Sequence, residues 1–348
     1  MPFRLSRDAR QSAQPAARRP RRLVSRRGAM AMAAAGVLMF QASPEVRAQG
    51  ADVFPSKPIR IVVGYPPGGS SDNIARVVAE RMSIEMNAPV VIVNRPGAGS
   101  TLAAGMVAAA PADGYTLLLL SPGTNAVSAA MYPNLPYDPV KSFAPISQLA
   151  FGPVFVLVGS ASPLKSMNNL VAVAQAAPGK LTFSHSGTGT GPHLVGEAIA
   201  LAMSTKFVHV PYAGAAPATL AVLGSQVDFS ISDISAVPHL QSGALRALAV
   251  STPQRWRQYP NVPTLRQSGV NFDYTLSVGL VATAGTPAEI VQKLHAAVSK
   301  AVASPEAQQR FATLGFEASA TSPEAFGAMV AGDVAKFGPI VRQTGLKQ

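Results

Sequence analysis

The sequence of 348 residues has no cysteine, a single tryptophan and only 13% charged residues. Without cysteine there is no disulfide framework, no thiolate nucleophile and no cysteine-ligated metal. Familiar catalytic patterns are missing as well. Gly187, Gly189 and Gly191 do not complete a GxGxxG fingerprint, and the next strand, VHVPY, brings no acidic residue to hold a ribose. There is no GK[ST] phosphate loop, no GxSxG elbow and no HExxH. His185, His193, His209, His239 and His295 show no metal-ligand spacing and read as packing or surface residues. Paired carboxylates for acid–base work are not evident, so the reading includes no catalytic residue, no metal and no cofactor.

Positive charge is plentiful but local. The net charge of +12 is concentrated in residues 1–48, where ten arginines face only Asp8 and Glu45, a net of +8. The remaining +4 is scattered, with no basic run and no interleaved aromatics, which argues against nucleic acid as a partner. The arginines precede the apolar stretch Ala29–Phe40, and a polar region ending Val46-Arg47-Ala48 follows. A positive segment, an apolar core and a small-residue cleavage site describe an export signal cut near Ala48. As a helix that core spans about 18 Å, short of the ~30 Å needed to anchor in a bilayer. Ser25-Arg26-Arg27 resembles the start of a twin-arginine signal, although Ala29 stands where such signals usually carry phenylalanine. The expectation is an exported, periplasmic protein, soluble and monomeric.

From about Ala51 short β-rich runs alternate with helical patterns, the mark of βαβ units and a largely parallel sheet. Strands are predicted at 59–63, 90–93, 115–120, 154–158, 181–184, 207–210, 227–231, 245–250 and 277–282. Helical periodicity fills most of the intervals. The pattern predicts an α/β fold of two lobes joined by two chain crossings, lobe 1 being 52–153 plus 276–348 and lobe 2 being 154–275. Ligands in such folds bind at the carboxyl ends of strands, here in the cleft between the lobes.

Two loops stand out. GYPPGGSSD, residues 64–72, leaves the first strand and enters a helix for which Ser70, Ser71 or Asp72 is a candidate N-cap. It is either an ordinary capped βα turn or a place where exposed amides and the helix dipole attract an anion. SHSGTGTG, residues 184–191, repeats the arrangement in the second half. Two such loops facing each other would hold the two ends of one anionic ligand. Trp256, in the polar stretch QRWRQYP, reads as a surface anchor.

The segments FPSKPIRIVVGYPPGGSSDNIAR, VVIVNRPGAGS, APADGYTLLLL, PGKLTFSHSGTGTGPHL, VHVPYAGAAPA, LRALAVSTPQRW and AGTPAEIV, in this order, resemble the substrate-binding component of tripartite tricarboxylate transporters, the Bug family of periplasmic receptors. The resemblance runs from about Phe54 to Gly345. It implies a Venus-flytrap binding protein that closes on a small carboxylate (a dicarboxylate, tricarboxylate, acidic amino acid or aromatic acid) for uptake by membrane transporter subunits. Delivery to a membrane sensor ectodomain, or an exported enzyme acting on a carboxylate, are the alternative outputs. Carried over by position, the resemblance implies ligand contacts from Tyr65, Gly68, Gly69, Ser70, Ser71 and Asp72 in the first loop. In the second it implies His185, Ser186, Gly187, Thr188, Gly189 and Thr190, with further lining from Thr124, Tyr212, Ala215 and Asp233. Three positions depart from the family pattern: His185 replaces a small residue, Ala213-Gly214-Ala215 replaces Lys-Gly-Ser, and Ser232-Asp233 replaces an Asp-Asn pair. The departures imply a changed distal pocket beside a retained carboxylate grip.

Overall fold

A computed structural model describes residues 54–346, so the export segment expected at 1–48 lies outside the described residues. The strand IRIVV is buried at every position except Arg60, as suits a strand covered on both faces. It forms β1 (Ile59–Val63) and runs into α1 (Ser70–Glu85), whose apolar face is Ile74, Val77, Val78 and Met82. There follow β2 (Val90–Asn94), α2 (Thr101–Ala108), β3 (Thr116–Leu120), α3 (Pro122–Met131) and β4 (Phe143–Gly152). The chain continues with β5 (Phe155–Gly159), α4 (Met167–Ala176), β6 (Thr182–His185), α5 (Gly191–Ala202), β7 (Val208–Pro211) and α6 (Ala215–Leu223). Next come β8 (Phe229–Ser232), α7 (Val237–Gln241) and β9 (Leu245–Val250). It closes with β10 (Leu276–Thr283), α8 (Ala288–Ala303), α9 (Pro305–Thr313), β11 (Glu317–Ala318) and α10 (Pro323–Thr344).

The strands make two sheets, ordered β11-β4-β10-β3-β1-β2 and β7-β6-β8-β5-β9. The chain passes from the first sheet to the second between β4 and β5, and back between β9 and β10. These crossings correct the expectation of largely parallel sheets. β5 is antiparallel to β8 and β9, and β10 is antiparallel to β3 and β4. A strand that starts at the crossing must run opposite to strands that end beside it. The parallel pairs are confined to β1 with β2 and β3, and β6 with β7 and β8. The structure is thus mixed α/β with two lobes.

Four elements escape the sequence patterns, the short α7 and β11 and the longer α3 and β4. α3 starts at Ser121-Pro122, where Pro occupies the first turn without any side-chain cap. β4 contains Pro145 and buries Ser147 and Gln148, which blurs its alternation. Their polar groups are satisfied: Ser147 Oγ donates to the Thr321 carbonyl at 2.9 Å, and Gln148 Nε2 to Ser277 Oγ at 2.7 Å. Trp256 is not a surface anchor but is buried, edge-on to Phe151 at 6.1 Å. From the return connection its indole packs on Phe151 of β4, so the polar neighbours in sequence misrepresent its surroundings. α10 packs along α3 and β4 and reaches α5, tying the C-terminal segment to both lobes. No helix of the described residues is long and apolar enough to cross a membrane.

Candidate functional site

α1, α3 and α5, which follow β1, β3 and β6, begin at one region together with α6 after β7, and Asp233 at the end of β8 reaches it too. A cavity of about 190 Å³ is lined from the first lobe by Tyr65, Pro66, Pro67, Gly68, Gly69, Ser70, Ser71, Ser121, Thr124 and Leu276. The second lobe supplies Ser186, Pro192, Ala213, Gly214, Ala215, Ala216, Pro217 and Asp233. It therefore opens onto the first turns of α1, α3, α5 and α6. None of these four helices is capped by the side chain of its own N-cap residue. Ser166, Ser304 and Ser322 cap α4, α9 and α10, while α2, α7 and α8 start uncapped away from the cavity, so it is the convergence of the four starts that distinguishes it. A helix start leaves backbone N–H groups without intrahelical partners, so uncapped starts aimed at one space make it electropositive without a formal cation. Among the described residues no lysine, arginine or histidine lines the cavity, and Asp233 is the one carboxylate that does.

The loop between β1 and α1 is built to present those amides. Gly68 holds φ +85, a left-handed conformation that favours glycine, and its N–H donates to Asp72 Oδ2 at 2.9 Å. Asp72 also accepts from Arg76 Nε at 2.7 Å and from Asn94 Nδ2 at 2.9 Å, while Asn94 Nδ2 lies 3.0 Å from the Tyr65 carbonyl that also accepts from it. Burial raises the Asp72 pKa, but the bonds from Arg76, Gly68 and Asn94 outweigh it and hold the carboxyl below its ordinary range. This corrects two expectations. Asp72 is turned back onto its own loop and is not among the cavity-lining residues, and the N-cap of α1 is Gly69, not Ser70, Ser71 or Asp72. Burial pushes the Tyr65 hydroxyl up to about 12, which keeps it protonated and a hydrogen-bond donor.

The second loop divides differently from the expectation. Ser186 lines the cavity, and Gly187, Thr188 and Tyr212 line an adjoining pocket that shares Tyr65, Pro66, Ser186 and Ala213 with it. Gly189 and Thr190 are buried: Thr190 Oγ1 donates to the Gly187 carbonyl at 2.7 Å, and the Gly189 carbonyl faces Ser128 Oγ of the first lobe at 3.5 Å. Thr124 Oγ1 accepts from Gly191 N–H at 3.3 Å, a second contact between lobes. His185 is the clear departure. Its ring is fully buried and turned away from both pockets, because it sits among His193, His209 and Phe183. Ring nitrogens of the three histidines lie within 4.8 Å of one another, a proximity that their spacing in sequence does not announce. Their separations in sequence hide the cluster because β6, β7 and α5 each contribute one ring.

Asp233, between β8 and α7, is buried. Oδ1 accepts from Ser70 Oγ at 2.9 Å and from Ser235 N–H at 2.9 Å. Burial raises its pKa above the ordinary carboxylate value despite these bonds. Pro192, Pro217 and Leu276 are lining residues that the sequence reading missed. The first two carry a signal only for a helix start, since proline is favoured in the first turn, where its missing N–H costs nothing.

A family model described as the tripartite tricarboxylate transporter family receptor matches residues 74–346. Among solved structures, the periplasmic binding protein BugD superposes with a TM-score of 0.79 at 31% identity, covering 85% of this chain and 100% of that one. MatC from Rhodopseudomonas palustris, solved with bound malate, gives 0.79 at 31% identity over 83% of this chain and 100% of its own. A second R. palustris protein, solved with adipate, gives 0.79 at 30% identity over 84% and 98%. With a family model spanning most of its length and the same two-lobed fold in neighbours of this similarity, the chain belongs to the tripartite tricarboxylate transporter family of receptors, the Bug family.

Proposed function

We propose that this chain is a periplasmic receptor that closes its two lobes, 52–153 with 276–348 and 154–275, on a small carboxylate and hands it to a membrane transporter. The observation that carries this is the convergence of four helix starts, none capped by its own N-cap side chain, on a cavity lined among the described residues by no lysine, arginine or histidine. Amide-lined electropositive space suits a carboxylate, whose oxygens each accept several hydrogen bonds. Malate and adipate, the acids bound by the R. palustris neighbours, are both dicarboxylates, which favours that class. In the proposed complex Gly69, Ser70 and Ser71 grip one carboxylate on the turn that Gly68 sets, and Ser186, Ala215 and their neighbours meet it from the other lobe. Tyr65 and Thr124 donate hydroxyls, and Ala213 to Ala215 shape the distal end.

Each helix end contributes about 0.3–1 kcal/mol, or ~2 where partly buried, and each hydrogen bond about 0.5–3 kcal/mol. Several together reach micromolar affinity, about −8.2 kcal/mol. Contacts with both lobes stabilise the closed state by differential affinity, with no chemical step required.

The test is a thermal-shift and calorimetric panel of malate, adipate, glutamate and benzoate with matched neutral amides. Saturable stabilisation by one or more acids, with the acid recovered unchanged by mass spectrometry, is the expected result. Stabilisation by the amides alone would overturn the carboxylate reading, and conversion of the acid would replace it with an enzymatic one.

A further inference from the structure

We propose that His185, His193 and His209 form a binding site for one divalent transition-metal ion of the zinc-like, imidazole-preferring class. The site lies behind the glycine-rich loop, outside the carboxylate cavity, at the edge of the second sheet. Three elements build it. β6 and its edge neighbour β7 are parallel, with Phe183 opposite His209, so His185, two residues beyond Phe183, shares the face on which His209 stands. His193, in the first turn of α5, covers that face.

The atoms converge. His185 Nε2 lies 3.2 Å from His209 Nδ1, and the rings of His193 and His209 are 4.5 Å apart. His185 Nδ1 is 3.0 Å from the Gly187 carbonyl. When Nδ1–H donates there, the lone pair of Nε2 is left facing His209, the arrangement by which a backbone carbonyl orients a metal-binding imidazole. His193 Nε2 is fully buried yet has no hydrogen-bond partner, an orphaned nitrogen that packing alone leaves unexplained. One turn on, Glu197 Oε1 is 3.8 Å from that nitrogen and supplies negative charge beside it. His185 and His193 are buried while His209 is exposed, so the cluster has a protected floor and an entrance from solvent.

Three nitrogen donors with no sulfur select zinc, copper or nickel over calcium or magnesium, and three histidines leave a fourth position open. Metal–nitrogen distances of about 2.0–2.1 Å require ring rotation, because His185 and His193 now stack at 4.3 Å and 6°. His193 Nδ1 accepts from Gly189 N–H at 3.3 Å. Coordination through Nε2 moves the neutral ring's proton to Nδ1 and ends that bond, so loading the ion changes how the glycine-rich loop is tethered.

The experiment is equilibrium dialysis of the untagged protein against Zn²⁺, with Co²⁺ as a spectroscopic substitute. The expected result is one ion per chain, visible d–d absorption of nitrogen-ligated Co²⁺, and a melting temperature that chelator lowers. His209→Ala, at the exposed edge, and His185→Ala should each weaken Zn²⁺ binding by at least about tenfold. Melting of metal-free His209→Ala close to the metal-free wild type establishes that it is folded. His239→Ala and His295→Ala should leave binding unchanged. Absence of saturable binding, or wild-type affinity in folded His209→Ala, overturns the proposal.

Discussion

Ser70 and Asp233, 163 positions apart, meet across the cleft, where Ser70 Oγ donates to Asp233 Oδ1 over 2.9 Å. The serine opens α1 of the first lobe and the aspartate follows β8 of the second. The bond therefore exists only while the jaws are together. Ser70→Ala should remove about 1 kcal/mol from the closed arrangement and weaken carboxylate binding about fivefold. Calorimetry gives the affinity and small-angle scattering the opening. Unchanged values for both would show that this contact does not hold the lobes.

Asp233 also sets an expected pH dependence. Burial raises its pKa, so its neutral form persists to higher pH than that of an ordinary aspartate. Both described bonds end on Oδ1, and Oδ2 can carry the proton without breaking either. Once ionised, the group repels an anionic ligand in the same cavity. Carboxylate affinity should fall as pH rises through the raised pKa, and Asp233→Asn should flatten that profile. A wild-type profile already flat between pH 4 and 8 would count against it.

Asp72 works in the opposite direction. Its folded-state pKa lies below the ordinary value, so its contribution to stability is present above that value and disappears as pH falls through the folded one. Asp72→Ala strands the Gly68 amide and Asn94 and unpairs Arg76, itself half exposed. The cost should be about 1–3 kcal/mol at pH 7 by urea denaturation, shrinking below about pH 4. Since the loop loses its brace, carboxylate affinity should drop although Asp72 does not line the cavity. A variant as stable as the wild type at pH 7 would refute the bracing role.

Tyr274, on the return crossing, wedges between glycines of both lobes. A Cβ at Gly191 would stand 2.0 Å from its hydroxyl, and one at Gly123 would stand 2.5 Å from its ring. Gly191→Ala should cost about 1–3 kcal/mol by overpacking. Combined with Tyr274→Ala it should cost less than the two single changes added together. Strict additivity would mean that the clash is relieved elsewhere.

Much of this architecture is legible in the sequence because it rests on local patterns. IRIVV, the four-residue spacing of Ile74, Val78 and Met82, and the face of Ile290, Leu294 and Val298 each declare their element. The loops were visible through glycine and hydroxyl content, and the family motifs showed where they meet. What could not be read is what depends on pairing at a distance. β4 hides because Ser147 and Gln148 are satisfied by Thr321 and Ser277, far along the chain. Asp72 looks like a cap until Arg76 and Asn94 are seen to claim it. Trp256 looks exposed until Phe151 is found against it. The histidines look unrelated because β6, β7 and α5 each contribute one.

Among the described residues neither lysine nor arginine lines the cavity wall, and this has a kinetic consequence. Amide dipoles and helix ends act within about one turn, whereas a full charge reaches as far as the Debye length, about 10 Å at 0.1 M salt. Such a cleft draws an anion only at close range, so encounter proceeds by unsteered diffusion and retention depends on the jaws. Association rates should then change little with ionic strength, and capture would proceed equally well in dilute and in salty surroundings.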